Sequence, residues 1–531
     1  MEKEAEKTSS VPQTAASLVK KSSALSLLTL VSRVLGLLRE MTKASFLGTT
    51  ALSDAFSVAF LLPNLFRRLF AEGSIAVAFI PTYKEHLLEN NREKTREFLS
   101  CIFTFLTFFV TLMVVAGILV APFLVRLFGV QEYNETVFLT RVMFPFLGFI
   151  SLAALFQGVL NSLHIFTPSG LAPILLNIIT ILSTYFLSRY TANPARAMSI
   201  GVLVGGFLSM AIQLPFVIKQ GQSFFFTSLK RAISNPGTQK VLRLISPTII
   251  GMAAYQINDL VSTALGGRAG EGVVSSLQYS LRLQELILGV FAVSIGTVLL
   301  PSLAEYAKSS QWEAYNKRLL SSINIITLIT IPITFFALAQ GQSLIRLLFQ
   351  SRSFDETSVQ LTLSAFTFHM LGMFFIALNR ILAPAFYAQS DTKSPTIAGI
   401  ISMIVNIILA AVLVGPMRGA GIALALSLAS AVNTFLLLVF LRKNPNITLD
   451  SSSVPIYVLK IIIIAGLAVI PIHYLSPTIE AFFANKGRFI SYGIPLGINL
   501  FVFLFIGIAL LVVSRDRYLN SLVNMFKKRG R

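Results

Sequence analysis

Long apolar runs broken by short polar clusters dominate this chain. Ile102–Phe128 and Val454–Tyr474 are apolar for about 20 residues or more, enough for a helix to cross a hydrocarbon core of ~30 Å. Runs of this kind recur from end to end and predict spans over 25–48, 52–83, 98–128, 136–163, 168–188, 197–218, 241–266, 273–304, 319–340, 358–388, 394–416, 419–441, 454–475 and 489–514. Only helices or closed barrels satisfy their backbone groups in lipid, and runs this long point to helices. The expected fold is all-α and integral to the membrane, with about fourteen transmembrane helices. No large soluble domain fits between the runs. Before the first of them, residues 1–22 are rich in Lys, Glu and Ser. They lack the apolar core and small-residue cleavage site of a signal peptide and are expected to form a disordered tail.

Composition agrees with this reading. Of 531 residues, 54% are hydrophobic and 12% charged, and the mean hydropathy is +0.75, whereas a soluble domain carries about 25% charged residues. The net charge of +20 raises the question of nucleic acid, but cytoplasmic loops of membrane proteins collect Lys and Arg. With the N-terminus in the cytoplasm, that side receives Lys84, Arg92, Lys94 and Arg96, then Lys230 and Arg231, Lys317 and Arg318, and the closing Lys527, Lys528, Arg529 and Arg531. An even number of spans then places both termini in the cytoplasm, and no nucleic-acid partner is expected. The single cysteine, Cys101, excludes an internal disulfide, and His86, His164, His369 and His473 are too scattered to form a ligand cluster.

The chain also repeats itself. Ser74-Ile75, Pro81-Thr82 and Glu85 return as Ser294-Ile295, Pro301-Ser302 and Glu305, and Leu124-Val125-Arg126-Leu127 returns as Leu344-Ile345-Arg346-Leu347, always 220 residues on. Asn134-Glu135-Thr136 returns as Asp355-Glu356-Thr357 at 221. Six spans separate the copies, and an even number implies a parallel repeat about an axis along the membrane normal. The expected organisation is a tail (1–22), a six-helix lobe (23–220), an interlobe loop (221–240), a second six-helix lobe (241–443), a final helix pair (454–514) and a basic tail (515–531).

A charge at the bilayer centre costs about 2.5–3.5 kcal/mol on insertion scales, so ions there mark a function or a pair. The first span holds Arg33, Arg39, Glu40 and Lys43; the second holds Asp54, Arg67, Arg68 and Glu72; the eighth holds Arg282 and Glu285. Ser32, Gly36 and Arg39 share a helical face at i, i+4 and i+7, where two small residues permit either close packing or an open cavity wall. Arg68 and Glu72 are spaced for a local ion pair, and Arg126 and Arg346 lie at span ends where they can snorkel. Asp259 can hold a cation or balance Arg268, and His369 and Arg380 can line a cavity or satisfy packing. Arg33, Arg39, Arg67 and Arg282 remain as cavity residues. Guanidinium binds phosphate as a bidentate fork, so several such arginines suggest a phosphorylated or otherwise strongly anionic substrate. No enzyme is expected, since the longest loop, Gln220–Lys240, contains no Asp, Glu, His or Cys.

These stretches resemble the MurJ (MviN) family, the lipid II flippases of bacterial cell-wall synthesis, within the wider group of MATE-like exporters. The resemblance runs from about residue 24 to 515. It rests on Ser32-Arg33-Val34-Leu35-Gly36 with Arg39, on Asp54-Ala55-Phe56 leading into Pro63-Asn64-Leu65 and Arg67-Arg68, and on Phe70-Ala71-Glu72-Gly73. Gly296-Thr297, Leu299-Leu300-Pro301-Ser302, Leu382-Ala383-Pro384 and Phe386-Tyr387 complete it. The resemblance implies two six-helix lobes around a central cavity, and a last helix pair forming a groove for a lipid tail. It matches Arg33, Arg39, Arg67 and Arg282 to the family's cavity arginines and Asp54 to its acid on the second helix; Glu40 stands where many members have Asp. Some members bind sodium through an acid on the seventh helix and an Asn-x-x-x-Asp on the eleventh. Asp259 and Asn406 match that pattern, but Ala410 replaces the second acid. The expected activity is movement of undecaprenyl-diphosphate-linked lipid II across the bacterial cytoplasmic membrane by alternating access, by a monomer among membrane lipids, with no cofactor beyond sodium or the membrane potential. Rival expectations are a flippase for another polyprenyl-diphosphate sugar of O-antigen type and a MATE-type cation exporter.

Overall fold

The computed structural model describes residues 15–69, 78–448 and 453–519. Every regular element among them is helical. The helices are α1 (Ala15–Leu47), α2 (Ala51–Arg67), α3 (Ile80–Leu88), α4 (Arg92–Phe128), α5 (Tyr133–Met143), α6 (Phe146–Ser162), α7 (Thr167–Leu187), α8 (Pro194–Ala211) and α9 (Leu214–Lys219). They continue with α10 (Leu229–Ser234), α11 (Pro236–Arg268), α12 (Val273–Lys308), α13 (Trp312–Phe349), α14 (Glu356–Tyr387), α15 (Lys393–Leu441), α16 (Ser453–Phe483) and α17 (Ile494–Val513), the last preceded by a π-helical turn over Phe489–Gly493.

Among the described residues, nine helical stretches are long and apolar enough to cross a membrane. α1, α11 and α12, at 33, 33 and 36 residues, are also long enough. Departures from the expected spans have local causes. The span over 136–163 is two helices, because Pro145 offers no N–H to continue the ladder from α5 into α6. Pro215 at the start of α9 divides the span over 197–218 in the same way. The interlobe loop carries the short helix α10, capped by the Ser228 side chain, which accepts from the Arg231 N–H. α15 runs through 49 residues but is two helices folded back on each other. After Pro416, Arg418 takes φ 48° and ψ −128°, a conformation that residues with side chains rarely adopt. A Cβ on Gly421 would lie 2.3 Å from the Leu413 carbonyl oxygen, so only glycine permits so tight a return.

The repeat is visible in the element boundaries. α4 begins at Arg92 and α13 at Trp312, 220 residues apart, and they end at Phe128 and Phe349, 221 apart.

The chain forms two compact units. The first comprises the described residues up to Glu40, with Phe60–Ala121 and Leu139–Ile250. Here α8 packs on α6 and α7, and α3 on α6, around an aromatic core in which Phe79 stacks on Tyr83 and on Phe98 at 5.4 and 5.9 Å. The second comprises Met41–Ala59, Pro122–Phe138 and the chain from Gly251 on. Within it α14 packs on α12, α13 and α15, while α16 packs on α13 and α17. Its largest core buries Tyr279, Tyr315, Phe349, Phe354 and Phe366, and a second one joins Leu328 and Ile331 of α13 to Tyr457, Ile461 and Ala465 of α16. Buried amides add to this packing: Asn499 of α17 donates to Gln340 Oε1 of α13 at 2.9 Å and to Ser476 Oγ of α16 at 3.0 Å. Without a hydrophobic drive between helices in lipid, such bonds and small-residue contacts hold membrane helices together.

Candidate functional site

The intramembrane charges expected from the sequence fall on α1, α2 and α12. In the first unit, Gly36 and Ser32 face α7. A Cβ at Gly36 would lie 3.8 Å from Asn177 Nδ2, and that amide donates to the Ser32 carbonyl at 3.3 Å. The small residues therefore serve helix packing at this level. Three residues on, Arg39 is half-buried; its Nη2 meets Glu40 Oε1 at 2.8 Å and its guanidinium lies 5.7 Å from the Phe60 ring centroid. A carboxylate on one side and a π face on the other hold this fork in a fixed orientation. Arg33 is exposed, consistent with its position off the Arg39 face. On α2, Arg67 Nε donates to Asn64 Oδ1 at 2.8 Å, one turn earlier. Glu72, considered as a partner for Arg68, lies outside the described residues, as does the basic tail beyond residue 519.

In the second unit, the end of α1 and the start of α2 meet the start of α12. Asp54 is 3% exposed; its Oδ2 accepts from the Gly272 N–H at 2.8 Å and its Oδ1 from the Ser275 N–H at 2.7 Å. A carboxylate here satisfies two of the unpaired donors at the α12 N-terminus and meets the positive end of the helix dipole. Lys43 is equally buried. Its Nζ donates to Ser57 Oγ at 2.5 Å and to Gln278 Oε1 at 3.1 Å and lies 5.0 Å from the Tyr279 ring centroid. Ser275, Gln278 and Arg282 follow at i, i+3 and i+7 and share one face of α12. Arg282 is exposed and pairs with Glu285 one turn on, at 2.9 Å.

The sequence presents Lys43 among the charges of the first span without giving it a role. Its signal is the one that singles out the arginines, a cation inside an apolar run; Ser57 and Gln278, its partners, carry no comparable signal. His369 is buried with Nδ1 2.5 Å from Ser280 Oγ, Arg126 lies over Tyr133, and Arg346 meets Glu356 at 2.8 Å. Arg268 donates to the Leu127 carbonyl at 3.1 Å. Arg380 is exposed.

Asn406 does reach α11: its Nδ2 donates to Asn258 Oδ1 at 2.7 Å and lies 3.4 Å from Ser262 Oγ. Its Oδ1 is buried without a hydrogen-bond partner, an acceptor of the kind a cation uses. Yet Ala410, one turn along, is fully buried and supplies no oxygen, and the described residues contain no group of three or more His, Cys, Asp or Glu suited to a metal ion.

Rows of long apolar helices define a polytopic helical membrane protein, and solved structures share its fold. The chain superimposes on an inward-facing MATE family multidrug transporter of the MOP superfamily with a TM-score of 0.67 and 14% identity, over 77% of this chain and 94% of that one. It superimposes on a lipid II flippase MurJ in an inward closed conformation with a TM-score of 0.77 and 24% identity, over 93% and 99%. Within that class, the sequence model of the family described as lipid II flippase MurJ matches residues 43–492. A probable lipid II flippase MurJ of Treponema pallidum is 45% identical over 510 residues, covering 94% of this chain and 97% of the relative. A lipid II flippase MurJ of Burkholderia cenocepacia is 33% identical over 425 residues, covering 78% and 82%. The chain belongs to the MurJ family.

Proposed function

We propose that this protein moves lipid II from the cytoplasmic to the outer leaflet of the bacterial cytoplasmic membrane, exposing a cationic head-group site alternately to the two sides. Membership of the MurJ family over residues 43–492 carries this reading. Arg33, Arg39, Arg67 and Arg282 are assigned to the diphosphate, which guanidinium forks bind while the polyprenyl tail stays in lipid. Glu40 orients Arg39 through their 2.8 Å pair. Asp54 acts at one remove, fixing the start of the helix that bears Arg282. The distribution of Lys and Arg in the loops favours both termini in the cytoplasm. With the cytoplasm negative, outward movement of each negative charge is favoured by about 2.3 kcal/mol per 100 mV, so the membrane potential supplies a drive without a coupling ion. The protein is taken to work as a monomer.

The reading is tested by reconstituting the protein with lipid II and measuring how fast the head group becomes accessible on the far side. A hydrogen bond to a charged group contributes about 1.5–3 kcal/mol, so Arg39→Ala and Arg282→Ala should each slow transport roughly tenfold to hundredfold. Wild-type rates in both variants would remove the arginines from the substrate site. Transport of an O-antigen-type polyprenyl diphosphate, with lipid II left in place, would favour the rival substrate.

A further inference from the structure

The segment joining α9 to α10 has an unexpected form. It contains three consecutive phenylalanines, Phe224, Phe225 and Phe226, and lies without helical structure along the start of α4. Two α4 hydroxyls pin it there. Ser100 Oγ accepts from the Phe225 N–H at 3.3 Å and Thr104 Oγ1 from the Thr227 N–H at 3.0 Å. Phe224 tucks inward against Phe103 and Phe156, at 5.2 and 5.1 Å. Phe225 and Phe226 turn outward, 48% and 72% exposed.

The face of α4 beneath this strap is informative. Arg96, Ser100, Thr104 and Phe108 follow at four-residue steps, a row of neighbouring side chains that winds gradually round α4. Beyond the strap α4 continues through Leu112 and Leu119, both exposed apolar residues on a membrane-crossing helix, which is a lipid-facing surface. Before the strap it is basic. The Arg96 guanidinium sits 4.1 Å from the Phe225 ring centroid, and Lys230 is exposed shortly after the strap. The neighbouring carboxylates Glu97 and Glu89 pair with Arg231 and Lys94, and the exposed Glu93, one turn before Arg96, offsets part of the charge. Along the length of α4 the order is therefore cation, aromatic, then alkyl surface. That order matches phosphate, glycerol boundary and acyl chains in one leaflet, where apolar rings such as phenylalanine bury at the boundary of headgroup and chain. Unpaired backbone N–H groups are costly at that depth, which accounts for the two hydroxyl pins.

We infer that the phenylalanine strap, with Arg96 and Lys230, is a binding surface for anionic phospholipid headgroups in the leaflet it faces. Arg96 supplies a fork for the phosphate, Lys230 adds charge, and Phe225 and Phe226 seat between headgroup and chain. By the loop charges this is the cytoplasmic leaflet.

The experiment uses the full chain, whose only tryptophan is first removed by Trp312→Phe. Phe226→Trp then places a fluorophore on the strap, and Phe108→Trp in a parallel protein marks the lipid-facing stripe. Each is reconstituted in phosphatidylcholine containing a minor fraction of brominated phosphatidylcholine or brominated phosphatidylglycerol, with no lipid II present. The strap fluorophore should be quenched by both, and about twofold more by the phosphatidylglycerol at equal fraction, as local enrichment beside two cations requires. In the Arg96→Gln, Lys230→Gln double variant the two lipids should quench it equally. If the stripe fluorophore is quenched but the strap fluorophore responds only to aqueous iodide, the strap does not contact lipid. If the two lipids quench the strap fluorophore equally in the parent protein, the surface has no preference for anionic headgroups. Either result overturns the inference. Should Phe226→Trp fail to fold, Phe225→Trp reports on the same surface.

Discussion

Asp54 is tied by the fold to the start of a helix distant in sequence. The sequence identifies an acid inside an apolar span. The fold gives both of its oxygens to backbone N–H groups of Gly272 and Ser275, at 2.8 and 2.7 Å. Removing such a cap costs about 0.5–2 kcal/mol, with the upper half expected where a charge meets a helix dipole out of water. Asp54→Ala should therefore lower the thermal unfolding midpoint in detergent clearly, and Asp54→Asn less, because its amide oxygen still accepts one bond. If both variants unfold like wild type while transport is lost, Asp54 contacts substrate and its cap is incidental. Lys43 is a second case. The sequence presents it beside Arg39 as one more cation; only the fold shows that it is buried and held by Ser57, Gln278 and Tyr279, whereas Arg282 remains exposed.

Helix against helix, glycine and serine determine how closely the elements approach. A Cβ at Gly372 of α14 would lie 2.3 Å from Ser427 Oγ and 2.7 Å from its Cα, on α15. The same serine donates to the Phe368 carbonyl at 2.5 Å, so a hydrogen bond joins the two helices at this close approach. Gly372→Val should destabilise the protein by about 1–3 kcal/mol or more, since overpacking at a backbone contact forces the helices apart. Gly399→Ala, where nothing lies within 4 Å of a new Cβ, should change stability little. Thermal unfolding of the pair in the same detergent separates packing from helix propensity, and equal midpoints would refute the close approach. The sequence does not distinguish these two positions, because a glycine in an apolar run looks the same whether it faces lipid or another helix. The turn near Pro416 is expected from the sequence, but the breaks at Pro145 and Pro215 are not, since Pro122, Pro332 and Pro384 lie inside unbroken helices.

For the whole molecule, the open prediction concerns orientation. Leu88, at the end of α3, and Tyr190, just beyond α7, are each 85% exposed, and the alternation of spans places them on opposite sides of the membrane. In a Cys101→Ser background, a membrane-impermeant maleimide added to intact spheroplasts should label Tyr190→Cys and leave Leu88→Cys unlabelled until the cells are lysed. The reverse pattern would invert the topology and the direction of transport. What the sequence determined alone is what depends on composition and period: an all-helical membrane protein, most helix positions, the 220-residue repeat and the spans that carry charge. Those properties follow from the cost of unpaired backbone and charge in lipid, which acts on each segment separately. What only the tertiary structure decided is which charges are buried against distant segments and which are exposed. Asp54 caps a helix that begins more than 200 residues later, and Lys43 is enclosed by side chains from two other helices. Residues 41–59 and 122–138 group with the second unit although they lie within the first half of the chain. Such outcomes depend on contacts between segments distant in sequence, and no local pattern encodes those partners.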